Sequence, residues 1–486
     1  MSGFHAPTVV TKDRVWPADE LAGMARRWRS TALRDLTERS APVALVMTNE
    51  PRAIALFLAL STLPAPVILL PSDPRGWQTS PPLPAGTPLI LTHTQAGFGE
   101  RGRALGLDVR VVPEVAGTGD GEPVPFLACP GIVLFTSGST GLPKPVFRRM
   151  AGAIANVRYR IKALGLSASS NVVGSLPLDR SAGFSQVLLL PMLVGSRLAL
   201  VDSTDYSSVL RFFATSEYAH WTGTPAFADV LVRAARARPP GHAAPHSCLA
   251  AGRVSQRLFD AFLGTFGVPL RGYYGTTEMP WIAADTRPAS EVRADVAGLV
   301  PPVVAVRIGD RLAPLAAPSE SGRLWVKSPW GMVGYGFPPD VEARADVDGW
   351  WGTPDVGHME ADGSLVVMGR VDDVVRTGVG NLVSLGHVTA ALGRFRGVRD
   401  AIAVPLETAA GVVIGALAEV DQPVTASELR AHLEADLPLG LLPRVVETID
   451  NLPRLPDGRP DRLACIARLE GLLGEAGFIP STPSTD

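Results

Sequence analysis

Short apolar runs separated by helix-length segments constrain this chain's fold more than any other feature. Residues 43–47, 66–70, 89–92, 109–112, 131–135 and 197–201 are strand-like, whereas 18–37, 150–164 and 255–266 are rich in Ala, Leu and Arg and long enough for helices. This alternation predicts an α/β fold, a parallel or mixed sheet covered by helices. At 486 residues the chain exceeds what one hydrophobic core usually supports, so at least two domains are expected. The texture changes near Pro301, where strand-like pieces at 303–308, 322–326 and 364–367 are separated by Gly, Pro and Asp turns and predict a smaller β-rich subdomain. A polar turn follows Gly369, and strand-like 401–404 and 412–419 precede a helical pattern at 425–437. The expected boundary falls at residues 370–373, giving a large domain 1–370 and a small α+β domain 371–486.

Lys plus Arg number 45 against 47 for Asp plus Glu, a formal net charge of −2, so there is no global field with which to grip nucleic acid or an anionic membrane. Neither is expected as a partner, and an anionic ligand must be held locally. The most apolar stretch, 53–71, is interrupted by Ser61, Thr62, Pro64 and Pro66; it reads as a buried helix running into a buried strand, not a membrane span. Cys129, Cys248 and Cys465 are scattered, match no metal spacing and cannot all pair. Together with an N-terminus that has no continuous apolar core, they predict a reducing, cytoplasmic setting.

The segment richest in chemistry is Leu134-Phe135-Thr136-Ser137-Gly138-Ser139-Thr140-Gly141-Leu142-Pro143-Lys144-Pro145, an apolar strand delivering a Gly- and hydroxyl-rich loop tipped by lysine. Glycines let the backbone approach an anion and present N–H groups, the hydroxyls add donors, and Lys144 adds a point charge. Such a loop suits phosphate. It is not a Walker loop, because Pro143 and Pro145 flank Lys144 where that motif needs Gly and Ser or Thr. Gly378-Val379-Gly380 begins like a dinucleotide fingerprint, but Val383 replaces the third glycine.

The loop resembles the phosphate loop of the adenylate-forming superfamily of acyl- and aryl-CoA ligases, peptide-synthetase adenylation domains and luciferases. Further segments agree in the order that family requires. Residues 63–74 resemble an early Pro-containing motif, Tyr273-Tyr274-Gly275-Thr276-Thr277-Glu278 resembles Tyr-Gly-x-Thr-Glu, and Gly349-Trp350-Trp351-Gly352-Thr353-Pro354-Asp355 resembles Gly-Trp-x-x-Thr-Gly-Asp. Gly369-Arg370-Val371-Asp372-Asp373 resembles the turn joining the family's large and small domains, and residues 452–462 resemble its terminal Pro-Arg-x-x-x-Gly-Lys motif.

The resemblance implies a large N-terminal domain of helix-covered sheets, a β-rich subdomain and a small mobile C-terminal domain. It implies ATP and Mg2+ as cofactors and a small carboxylic acid, aromatic or short and polar, activated as acyl-AMP with loss of pyrophosphate. Transfer to a thiol would follow, with CoA or an acyl carrier protein as partner. By motif match, Thr136, Ser137, Gly138, Ser139, Thr140, Gly141 and Lys144 would hold the β/γ-phosphates, Thr277 the α-phosphate, and Glu278 the metal. Gly252, Gly275 and Thr276 would line the nucleotide site and Tyr274 would stack near adenine. Asp355 would accept the ribose hydroxyls, Arg370 would approach ribose or phosphate, and Asp372 would be the hinge. Arg180, Ser181, Phe184, Ala251 and Met279 would line the acid pocket, with Arg180 favouring an acid that carries an extra anionic or strongly polar group.

The chain departs from the family's pattern in places. Arg459 stands where the family has a catalytic lysine, a swap that keeps the charge but changes its shape. Pro354, Arg376 and Gly386-His387-Val388 also differ. Two alternatives therefore stay open: use of the adenylate for amide or related nitrogen chemistry, and a catalytically degenerate nucleotide-binding regulator.

Overall fold

The computed structural model describes residues 6–117, 126–136, 142–202, 204–215, 217–237, 244–309, 320–342, 347–376, 382–408, 411–420, 422–437, 439–454 and 460–474. Every residue of the strands Val43–Val46, Val67–Leu70, Pro88–Leu91 and Gly131–Phe135 is buried. Strands apolar along their whole length must be covered on both faces. Val43, Leu45, Val67, Leu69, Ile132 and Leu134 join one core, and the alternate residues Ala44, Val46, Ile68, Leu70, Val133 and Phe135 join another.

The chain separates into two compact units. The first comprises Met1–Val306, Val326–Trp351 and Glu360–Val366; the second comprises Arg307–Trp325, Gly352–Met359 and Val367–Asp486. The β-rich region after Pro301 is shared, because the chain alternates between the units there.

Within the first unit, one sheet runs in the order Asp340–Glu342, Gly334–Phe337, Pro145–Arg149, Gly131–Phe135, Val67–Leu70, Val43–Val46, Pro88–Leu91, Asp108–Val111. Its last five strands are parallel, whereas Pro145–Arg149 is antiparallel to Gly131–Phe135 and Gly334–Phe337 is antiparallel to Pro145–Arg149. A second sheet has a parallel centre formed by Leu270–Tyr274, Ser247–Ala251, Tyr218–Gly223, Asn171–Gly174, Arg197–Leu200 and Thr8–Val10. Val172, Leu198 and Leu200 face the core shared with Val43 and Leu45, while Val173, Ala199 and Val201 face the helices Tyr206–Phe213, Pro225–Ala237 and Gln256–Phe266. The two sheets thus sandwich a common apolar layer.

The apolar stretch resolves into the buried helix Pro51–Leu60 and the strand Val67–Leu70. Among the described residues no helix is long and apolar enough to cross a membrane. The helix expected over 18–37 stops at Ser30, where the Ser30 and Thr31 hydroxyls both donate to the Arg27 carbonyl; a 3-10 turn, Arg34–Leu36, follows. Cys129, Cys248 and Cys465 are buried and free, and burial pushes the Cys129 thiol up to about 12.

The second unit carries a three-stranded sheet in which the hairpin Val398–Thr408 and Gly411–Val420 is joined in parallel by Val445–Ile449. The helices Leu385–Leu392 and Ala426–Asp436 close its core through Leu385, Val388, Leu429 and Leu433. Thr425 and Glu428 form a reciprocal capping box that starts the second of these helices.

Candidate active site

Residues 136–144 connect two adjacent antiparallel strands, and their ends are pinned together. The Thr136 N–H donates to the Lys144 carbonyl at 3.1 Å, and the Lys144 N–H donates to Thr136 Oγ1 at 3.0 Å. Pro145 can open the next strand because the first position of a strand tolerates a missing donor. The Ser137, Gly138, Ser139, Thr140 and Gly141 positions lie outside the described residues. The exposed Lys144 places its Nζ 5.6 Å from the centre of the Tyr335 ring.

Tyr335 supplies the link that motif reading missed. Its strand pairs with the one leaving the loop, Tyr335 opposite Val146, and its hydroxyl donates to Glu278 Oε1 at 2.8 Å. A lysine and a glutamate separated by more than a hundred positions thereby meet around one aromatic ring. The only signal for Tyr335 in the sequence is a short Gly-rich strand pattern, and pairing partners cannot be read from such a pattern.

Glu278 sits on a tight turn at the end of Leu270–Tyr274. The Thr276 N–H donates to the Met279 carbonyl at 2.9 Å, the Met279 N–H donates to Thr276 Oγ1 at 3.0 Å, and the Ile282 N–H returns to the Tyr274 carbonyl at 2.8 Å. Gly275 is required here because a Cβ would lie 2.6 Å from the Trp281 nitrogen. The Met332 N–H donates to the Glu278 carbonyl at 2.8 Å and fixes that turn from the opposite side. Thr277, Glu278 and Tyr274 are half-buried, while Met279 is buried against Gly331. Gly252, with φ 141°, donates to the Tyr273 carbonyl at 3.1 Å and brings Ala251 and Gly252 alongside the same motif.

The residues expected to line an acid pocket divide. Ser181 Oγ accepts from Arg148 Nη1 at 2.9 Å. Phe184 lies in the core, edge-on to Phe57 at 5.5 Å. Arg180 is not gathered into this group: its side chain is 47% exposed and paired with Asp179 at 3.3 Å. Burial raises the Asp179 carboxyl above its ordinary range, and Arg180 partly offsets that.

The second unit holds three further expected residues. Asp355 lies on the strand Trp351–Met359, its N–H donating to Thr353 Oγ1 at 3.1 Å. Arg370 ends Ser364–Arg370, and Asp372 follows in the 3-10 turn Val371–Asp373. Arg462 Nη1 ties that turn to the last helix through Asp373 at 2.6 Å. Arg459 lies outside the described residues. Among the described residues no group of three His, Cys, Asp or Glu side chains is arranged to hold a metal.

Residues 127–336 match the AMP-binding enzyme family. It is 28% identical to novobiocin biosynthesis protein H of Streptomyces niveus, a match covering 99% of this chain and 82% of that one. It is 26% identical to a 4-chlorobenzoate–CoA ligase of an Arthrobacter species over 67% of this chain, a match that spans 63% of that relative's length. Among solved structures, the O-succinylbenzoate coenzyme A synthetase of Bacillus subtilis in complex with ATP and magnesium ion superposes with a TM-score of 0.77 at 21% identity, covering 95% of this chain and 96% of that one. This likeness establishes the fold: a mixed α/β protein with a large N-terminal and a smaller C-terminal domain.

Proposed function

We propose that the chain is an AMP-forming acid–thiol ligase. The observation that supports this reading is the meeting of Lys144 and Glu278 at Tyr335, which sets a cation and a carboxylate on either side of one aromatic ring. The acid's carboxylate attacks the α-phosphorus of ATP, forming the acyl–O–P bond as the bond to the pyrophosphate oxygen breaks. Charge grows on phosphoryl oxygens, so the protein's task is to position and neutralise. Lys144 and the 136–141 loop would hold the β/γ-phosphates, Thr277 would donate to the α-phosphate, and Glu278 would hold Mg2+, which would supply positive charge to the phosphates. The Tyr335 hydroxyl donates to Glu278 Oε1, and the other carboxylate oxygen would serve Mg2+.

In this reading Tyr274 stacks on adenine, Gly252, Gly275 and Thr276 line the nucleotide, and Asp355 and Arg370 take the ribose and phosphate. Residues 371–486 act as a lid turning about Asp372, and Arg459 faces the carboxylate and phosphate in place of lysine. A thiol of CoA or of a carrier protein then attacks the acyl carbonyl and AMP departs. The name of the 4-chlorobenzoate–CoA ligase relative supports an aromatic acid.

Acid-dependent exchange of labelled pyrophosphate into ATP, over a panel of aromatic and short polar acids, tests the first step without knowledge of the acceptor. Glu278→Gln should lower exchange about 100- to 1,000-fold with no change in the urea midpoint. Silence with every acid, alongside normal uptake of ATP–Mg2+ by calorimetry, would leave a nucleotide-binding regulator as the better description.

A further inference from the structure

Arg148 and Arg160 are among the largest fully buried side chains, 1% and 0% exposed. Arg148 follows Lys144 on the strand Pro145–Arg149, and Arg160 lies on the helix Met150–Ala163. Apart from the bond from Arg148 Nη1 to Ser181 and a looser polar contact of Arg160 with the Tyr273 phenol, no nitrogen of either guanidinium has a hydrogen-bond partner among the described residues: Nε and Nη2 of Arg148 lack one, and Nε, Nη1 and Nη2 of Arg160 make no close one. The Arg160 guanidinium lies 4.7 Å from the Trp281 ring centre and 5.5 Å from that of Tyr273, so it touches the turn that carries Thr277 and Glu278.

The two cations also act on each other. Burial, and then the neighbouring Arg160, bring Arg148 down to about 10, a value that still leaves it charged at neutral pH. Burial likewise lowers Arg160, with the Tyr273 phenol offsetting part of that. Among the described residues, Ser181 is the only polar side chain other than the Tyr273 phenol to accept a hydrogen bond from either guanidinium. Withdrawing a cation from water costs several kcal/mol even after relaxation, and arginine cannot escape by losing its proton. A partner of opposite charge is therefore missing from the described chain.

The surroundings are built for a polar guest. Asn156, one helical turn before Arg160, donates to the Pro280 carbonyl at 3.4 Å and leaves its buried Oδ1 without a partner. The helix packs against the π-type turn Gly183–Leu189, where Ser185 Oγ and both amide atoms of Gln186 are also buried without partners. π-type turns recur at functional sites.

We propose that Arg148 and Arg160 form an anion subsite that receives a second negatively charged group of the acid, a carboxylate or sulfonate remote from the carboxylate that is activated. This rests on the acid–thiol ligase reading. The subsite lies between Ser181 and the Tyr273–Trp281 turn, and its seal from bulk water favours a small organic dianion over a phosphate chain or a macromolecule. It also moves the charge selectivity that the sequence assigns to Arg180 onto two arginines with no carboxylate partner among the described residues.

The test compares succinate, sulfoacetate and 2-succinylbenzoate with propionate and benzoate, in wild type, Arg148→Met, Arg160→Met and Arg160→Lys. Two readouts are used: kcat/KM in pyrophosphate exchange, and the rise in Tm caused by each acid with a non-hydrolysable ATP analogue. The expected result is a wild-type preference for at least one dianion. Arg160→Met should lower that preference about 100-fold while changing the neutral-chain acids less than about threefold, and Arg160→Lys should restore part of it. Equal losses for all acids, or a wild type that prefers propionate or benzoate, would overturn the subsite. Dianion-dependent Tm shifts that vanish in Arg160→Met, without exchange for any acid, would uphold the subsite and sink the ligase reading. Neither shift nor exchange would sink both.

Discussion

Arg287 and Arg160 are both arginines drawn out of water in the first unit, yet their surroundings differ sharply. Arg287, 13% exposed, meets the fully buried Asp285 at 2.6 Å and Asp362 at 3.1 Å. Asp285 in turn accepts from the Arg287 and Arg293 N–H groups, while Arg271 Nη1 donates to the Asp285 and Arg287 carbonyls at 3.0 and 2.6 Å. Every charge in that network has a counter-charge or a dipole. Arg160 has two aromatic faces, a like-charged neighbour and, among the described residues, no paired carboxylate. A closed ionic network locks neighbouring loops together, whereas an open pair of cations lowers stability until something binds.

The contrast can be broken most directly at Asp285. Asp285→Ala should cost about 3–5 kcal/mol in urea unfolding, because it strands Arg287 in a largely buried site. A loss below about 1 kcal/mol would mean that the network is solvated after all. Arg160→Met should go the other way and raise stability by about 1–4 kcal/mol, since an apolar side chain of similar length replaces an unpaired buried charge; a marked loss would show the guanidinium to be structural. Arg293→Ala, at the exposed rim of the paired network, should shift stability by less than about 1 kcal/mol in the same assay.

Parts of this molecule were legible in advance. The strand at 131–135 and the helices starting near Met150 and Gln256 follow from local pattern, because burial on both faces or along one stripe dictates which residue types occupy them. The phosphate-type loop and the Tyr274–Glu278 segment were legible because their chemistry needs particular residues at particular spacings. Tyr335 was not, since its place beside Glu278 depends on a strand joining the sheet from nearly two hundred residues downstream of Val146. Arg148 and Arg160 were hidden for a related reason. Arginine is usually solvated, and nothing local to residues 145–163 reports that both guanidinium groups end in the interior. Arg180 drew attention instead because it sits inside a recognisable segment, whereas in the fold it is half-exposed and paired with its own neighbour.

Read alone, the amino-acid order determined the α/β layering and carried the resemblance to the adenylate-forming superfamily, both properties of contiguous segments. Tertiary structure decided which distant groups meet: Lys144 with Glu278 through Tyr335, and two arginines within one dry interior. The physical reason is that burial and charge pairing are set by long-range packing, so whether a given arginine is satisfied depends on residues that only the folded chain brings beside it.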